Sequence, residues 1–401
     1  MAFRQDPRFP GPSVAEMERR CRRVWEAMEQ AGLDGLLVYG DSGAQGANCA
    51  NVLYLAGYQD PLFAYVLVAK GREPALFISN ELYLPHARAM ARVDQVDWLS
   101  WNPADRLAAA VEEHGLAEGR IGLVGSRGIQ RSSLPHEHVR TLMERLPRVR
   151  WQDATELLQK LRRVKSPAEL ELLRQGARIT DATVAALASH TRPGMTECQL
   201  AGLVHRAAWE HGGEPRLTFL GSTSMDDPDL VFPRQQPSLR QLERGDVVLT
   251  ELSASYGGYP GQIHRPVAVG GAPTADYRAL FELAVETFQA VVESLRPGGT
   301  DEDVRRAARQ VLAGRGVWTM DALVHGWGLS LEPPRLDVPE LAIIRRPQEP
   351  IVFEPGMVLV VQPHLLSADR RRGLQVGSVV AVTETGPQVL QQYPMEFVCA
   401  G

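Results

Sequence analysis

The feature that most constrains this chain is an internal duplication. The segment ITDATVAALASHTRPGMTECQLAGLVHRAAWEHG resembles FELAVETFQAVVESLRPGGTDEDVRRAARQVLAGRG. Each reads as a helix, an Arg-Pro-Gly-x-Thr turn and a second helix, and such self-similarity marks a repeated structural unit. Thr196 and Thr300 stand where they cap the second helices, and Gly194 and Gly298 permit the turns before them. A β unit follows each helix pair, over Leu242–Gly270 and Phe353–Gly386, with Gly245 and Gly356 starting matching strands. A duplicated ααββ unit predicts two halves facing across a pseudo-twofold axis, with a ligand cleft between them.

The duplication leaves a long N-terminal stretch unexplained, and 401 residues are too many for one core. A helix from Val14 to about Gly32 is followed by a strand, Asp34–Gly40, with Asn51–Tyr58 a further strand candidate. AYVLVA and ALFIS around KGREP predict a hairpin over Ala64–Ser79, and Arg120–Ser126 and Val149–Thr155 read as later strands. Alternating strands and helices predict an α/β domain over residues 1–155, with the duplicated domain over 156–401. Ser166, Pro167 and Glu169 announce a long helix through a capping box.

Composition excludes several classes. At 44% apolar and 23% charged the chain reads as an ordinary globular protein. A formal charge of −5 argues against nucleic acid, and Arg370, Arg371 and Arg372 read as a solvated turn. No apolar run approaches the roughly 20 residues of a membrane span. Cys21, Cys49, Cys198 and Cys399 form no Cys-x-x-Cys pair, and MAFRQDPRFPGPS does not read as a signal peptide. A cytoplasmic protein with reduced thiols is expected.

The duplicated layout, the Arg-Pro-Gly-x-Thr turn, GDVVLTELSASYGGYPGQIHR, HGWGL and GMVLVVQP together resemble the pita-bread family. That family includes methionine aminopeptidase, aminopeptidase P, prolidase and creatinase. The resemblance covers residues 15–401 and implies an α+β chain: a pita-bread C-terminal domain behind a creatinase-like α/β N-terminal domain. In the family's peptidases, Asp, Asp, His, Glu and Glu hold two divalent cations and a bridging hydroxide. The resemblance carries these to Glu251, Gln262, His325, Gln362 and Gly377. One ligand is kept, one is lengthened and three are lost, so the expectation is no metal and no cofactor; a single ion through His325 and Glu251 is a poor alternative. A second histidine usual in the family falls at Glu332, and DLVFPRQQPSLRQLERGD lacks the upstream histidine that serves creatinase.

On an extended strand Gln262 and His264 share a face. The candidate catalytic residues are therefore His325, Glu251, Glu332 and His264, with Gln262, Gln362 and Arg335 as substrate-binding candidates. Each has a plainer reading. His325 is a buried relic, Glu251 a structural partner of His264 or Arg265, and His264 a packing residue. Glu332 is a loop acid, Arg335 a surface arginine, and the glutamines fill the volume of lost acids. His136 and His138 read as a loop pair, and Tyr256 and Tyr259 as sheet packing.

The expected function is a metal-independent, creatinase-like hydrolase of an amide- or amidine-type carbon–nitrogen bond in a small polar substrate. The alternatives are a lyase or other acid–base enzyme on the same scaffold, and a non-catalytic binding protein derived from an Xaa-Pro peptidase. A small-molecule substrate and a homodimer are the expected partners, with neither nucleic acid nor membrane. The loop Gly57–Tyr65 is the candidate for reaching a neighbouring subunit.

Overall fold

The structure is a computed structural model that describes residues 3–43, 48–125, 134–347 and 350–401. Contacts divide the chain into two units: residues 1–163 with 329–331, and residues 164–328 with 332–401.

The first unit is built on a six-stranded mixed sheet. The strand Gly35–Asp41 lies inside it, antiparallel to Phe63–Ala69 and parallel to Arg120–Val124. The predicted hairpin is present, with Ala64 opposite Ile78 and Leu67 opposite Ala75. The strand read from RIGLVGS ends at Val124, and Ser126 lies outside the described residues. Asn51–Tyr58, a strand candidate, instead runs through a helix, Ala50–Ala56, and the turn that ends it. Val52, Leu53, Tyr54 and Leu55 are all buried, so no polar face marks the helical period, and Gly57 ends it at φ 65°. His136 and His138 lie in the first turn of the helix His136–Arg145, and the Tyr65 hydroxyl meets His138 Nδ1 at 2.9 Å.

The second unit repeats itself down to single hydrogen bonds. The helices Glu197–Glu210 and Asp301–Leu312 are capped by Thr196 and Thr300, each in a full capping box. In the first half Gly194 N–H donates to Leu242 O (2.7 Å), and Leu242 N–H donates back to Met195 O (2.8 Å). In the second, Gly298 N–H donates to Phe353 O (2.9 Å), and Phe353 N–H donates back to Gly299 O (2.8 Å). Gly245 and Gly356, three residues further on, have φ of 89° and 90°. Only glycine takes that conformation at little cost, which is why both half-sequences carry it there.

One large sheet joins the halves. Its neighbouring strands run Leu331–Leu336, Val324–Trp327, Val358–Val361, Gly377–Thr383, Ile263–His264, Asp246–Tyr256, Val267–Val269 and Val398–Ala400. Val248 and Leu252 pack with Leu187, Leu200 and Val204 of the first helix pair. Leu359, Val361, Val380 and Val382 pack with Phe288, Val291 and Val304 of the second. Alternation along the strands then sends the intervening residues to the other face. Of the described residues, no helix is long and apolar enough to cross a membrane.

Candidate active site

Register assembles the site. His325 is opposite Val360, Val360 opposite Val379, and His264 opposite Gly377. Ile263 is opposite Leu252, a pairing that continues to His264 against Glu251. Directly opposed residues point to one side of a sheet, so His325, Gly377, His264 and Glu251 share a face. Gln262 shares it by parity with His264, and Gln362 by parity with Val360. No bulge intervenes: Tyr256 pairs Tyr259 and Val267 pairs Val248 in the same register.

The side chains form one hydrogen-bonded chain. Gln262 Nε2 donates to Glu251 Oε1 at 2.8 Å, and lies 3.4 Å from both Gln362 Oε1 and His264 Nε2. His325 Nε2 is 3.1 Å from the same Gln362 oxygen, and His325 Nδ1 is 3.1 Å from Gly326 O. Gln362 Nε2 donates to Asp321 Oδ2 at 3.0 Å, and Arg335 Nη2 donates to Asp321 Oδ1 at 2.9 Å. Arg346 approaches the same oxygen at 3.5 Å and also contacts Asp337. Glu251, Gln262, His264, His325 and Gln362 are thus brought together, and Arg335 joins them through Asp321. Glu332 is held by Lys165, whose Nζ donates to Glu332 Oε2 at 2.7 Å.

Electrostatics follow from burial. Burial opposes ionisation of Asp321, but the Arg335 charge and the Ala322 N–H outweigh it and hold the carboxyl below its ordinary value. Burial lowers the His325 pKa, with the Gly326 carbonyl and the Asp321 and Glu251 charges only partly opposing it. Arg265 turns away from Glu251 and donates to the carbonyls of Gly377 (2.8 Å), His264 (2.9 Å) and Pro394 (2.7 Å). Tyr259 is buried and donates to Glu169 Oε1 at 2.9 Å, while Tyr256 packs beside Ile179 and Ala208.

Sequence reasoning missed Asp321, Arg346 and Lys165. Asp321 stands four residues before His325 in irregular chain, where no period marks it, and Lys165 ends the basic stretch Lys160–Lys165 just before the Ser166 cap. Its one signal is that position, beside a well-defined helix start.

The profile of metallopeptidase family M24 matches residues 171–384, and that of the creatinase/prolidase N-terminal domain matches residues 20–164. The chain belongs to metallopeptidase family M24, with the two-part architecture of that family's prolidases. It is 24% identical to an Xaa-Pro dipeptidase of Pyrococcus horikoshii, over 95% of this chain and 99% of the relative. It is 27% identical to the probable dipeptidase PepE of Mycobacterium tuberculosis, over 95% of this chain and 96% of the relative. Among solved structures, the X-Pro aminopeptidase of Thermotoga maritima matches with a TM-score of 0.78 at 20% identity, over 95% of this chain and 99% of the other. The prolidase of P. horikoshii matches at 0.75 and 22%, over 95% and 100%.

These findings correct the expectation drawn from sequence. A creatinase-like, metal-independent hydrolase of a small polar substrate does not stand: relatives matched along their length are named as Xaa-Pro dipeptidases and a probable dipeptidase, in a family of metallopeptidases. Those names point to peptide hydrolysis, not to elimination or a creatinase-type reaction. The family's two cations are a separate question, decided by the donors present. Glu251, Gln262, His325, Gln362 and Gly377 offer one carboxylate, one imidazole and two neutral amides, and among the described residues no three His, Cys, Asp or Glu side chains converge to hold an ion. The amide oxygens are the only ligand atoms the glutamines offer a cation; they carry no formal charge, and Gln362 Oε1 already faces His325 Nε2 and Gln262 Nε2. This set does not fit a pair of divalent cations.

Proposed function

We propose that this chain is a hydrolase of short peptides, with dipeptides of the Xaa-Pro type as its substrate class. The observation that carries the reading is the match to dipeptidases over nearly the whole of both chains, with both family domains present. The polar groups at the two ends of the hydrogen-bonded chain support it. Glu251 Oε1 accepts from Gln262, and its side chain is about one-tenth exposed, the position of a group that meets a substrate ammonium. Arg335 and Arg346, at the Asp321 end, are 29% and 19% exposed, and a guanidinium suits a peptide carboxylate. Gln262 and Gln362 orient the peptide group between those ends. His325 and His264 supply the imidazoles of this cluster for acid–base work, while Glu332 is held by Lys165. No step is assigned to a metal.

The chain works as a homodimer in this reading, in the cytoplasm. Asp60 shapes the Gly57–Tyr65 segment by accepting from the Leu62, Phe63 and Ser79 N–H groups, and leaves Leu62 52% exposed at its tip. Sedimentation as a monomer at micromolar concentration contradicts the dimer.

The activity is tested by following proline release from Ala-Pro, Leu-Pro and Met-Pro, with Ala-Leu and Leu-Gly as controls. Each is assayed with added Mn²⁺, Co²⁺ or Zn²⁺ and with chelator. Cleavage confined to the proline dipeptides is the expected result, and no cleavage of any peptide under any condition overturns the proposal.

A further inference from the structure

The poor fit to two cations has a steric part that no exchange of ligand chemistry alone repairs. The family resemblance puts Gly377 at the fifth ligand position, and its φ is not positive, so it is not there for a turn. It is there for space. A Cβ built on it meets His264 Nδ1 at 2.5 Å, Val361 O at 2.8 Å and Gln362 Cα at 3.1 Å. Contacts between carbon and heavy atoms below about 3.5 Å are repulsive, so the imidazole occupies the volume in which a side chain at 377 would begin.

The backbone does not yield that space freely. His264 is fully buried and directly opposite Gly377. Arg265, 1% exposed, donates from Nη1 to the carbonyls of both His264 and Gly377, and so ties the two strands together at this point. Moving the strands apart breaks charged hydrogen bonds that have no water to replace them. From the same position His264 presents Nε2 to the cluster, 3.9 Å from Glu251 Oε1 and 3.4 Å from Gln262 Nε2.

We propose that His264 and Gly377 form a steric interlock, clamped by Arg265, in which the histidine has taken over the space of the family's fifth ligand, so that this position cannot be refilled while His264 remains. The inference is independent of the substrate proposed above.

A stability cycle tests it. G377A is expected to lower Tm by several degrees, and H264S/G377A to lose distinctly less relative to H264S, with the Val361 carbonyl accounting for the remainder. Equal losses in the two backgrounds overturn the interlock. If G377A yields no folded protein, recovery of soluble protein by H264S supports the interlock, and failure of both overturns it. A second readout is Mn²⁺ bound per chain after dialysis in E251D/Q262D/Q362E/G377E. Two ions bound with His264 retained also overturn the proposal.

Discussion

Lys165 and Glu332 form an ion pair at 2.7 Å with side chains only 2% and 1% exposed. The two residues are far apart in sequence, one at the edge of the long capped helix and the other on the strand Leu331–Leu336. Gly328 makes room for them, since a Cβ there meets Lys165 Cε at 2.9 Å and Glu332 Oε1 at 3.1 Å. Removing one member leaves the other charge buried, which costs about 3–5 kcal/mol. Glu332→Ala is therefore expected to destabilise strongly in urea melts, and Lys165→Met/Glu332→Leu to destabilise far less. Equal destabilisation by the single and double variants contradicts this account.

His364 gives a pH dependence of known sign. Burial lowers its pKa from the ordinary 6.5 to about 4, with the Val231 carbonyl only partly opposing. The unfolded chain takes up the proton first, so stability falls as pH drops from about 6.5 towards 4 and is complete above that window. The full effect is worth about 3 kcal/mol. Measured by chemical unfolding across pH 4–7, the His364→Gln variant is expected to show a shallower slope than the parent. An unchanged slope removes His364 as its source.

The substrate reading makes Glu251 the partner of a free amino terminus. Glu251→Gln keeps shape and loses charge, and a charged hydrogen bond of roughly 1.5–3 kcal/mol corresponds to about 10–100-fold in affinity. Binding of Ala-Pro is expected to weaken by that factor, while N-acetyl-Ala-Pro is expected to change little. Equal weakening of both peptides removes the ammonium contact.

Arg335 separates two roles. If it only supports Asp321, then Arg335→Ala affects free and C-terminally amidated peptides alike. If it meets the peptide carboxylate, KM for the free acid rises by at least about tenfold while the amide is little affected, since only the acid offers a bidentate partner. The second outcome is expected.

Much of this was legible in the residues themselves. Thr196, Thr300, Gly194, Gly298, Gly245 and Gly356 mark caps and turns whose causes are local, and each local rule was obeyed twice. The shared face of Gln262 and His264 followed from strand parity once no bulge intervened. The Ala50–Ala56 helix was misread because burial on all sides erased its period.

The sequence by itself determined the duplication and the order of an α/β and a pita-bread domain, because these depend on residue type and short spacing. Only the tertiary structure decided which side chains meet around the site. That Asp321 ends the chain from Gln362, that Lys165 holds Glu332, and that His264 fills the space beside Gly377 are relations between separate segments of the chain. They are set by register and close packing, which couple residues from 41 to 167 positions apart and leave no periodic trace along the chain.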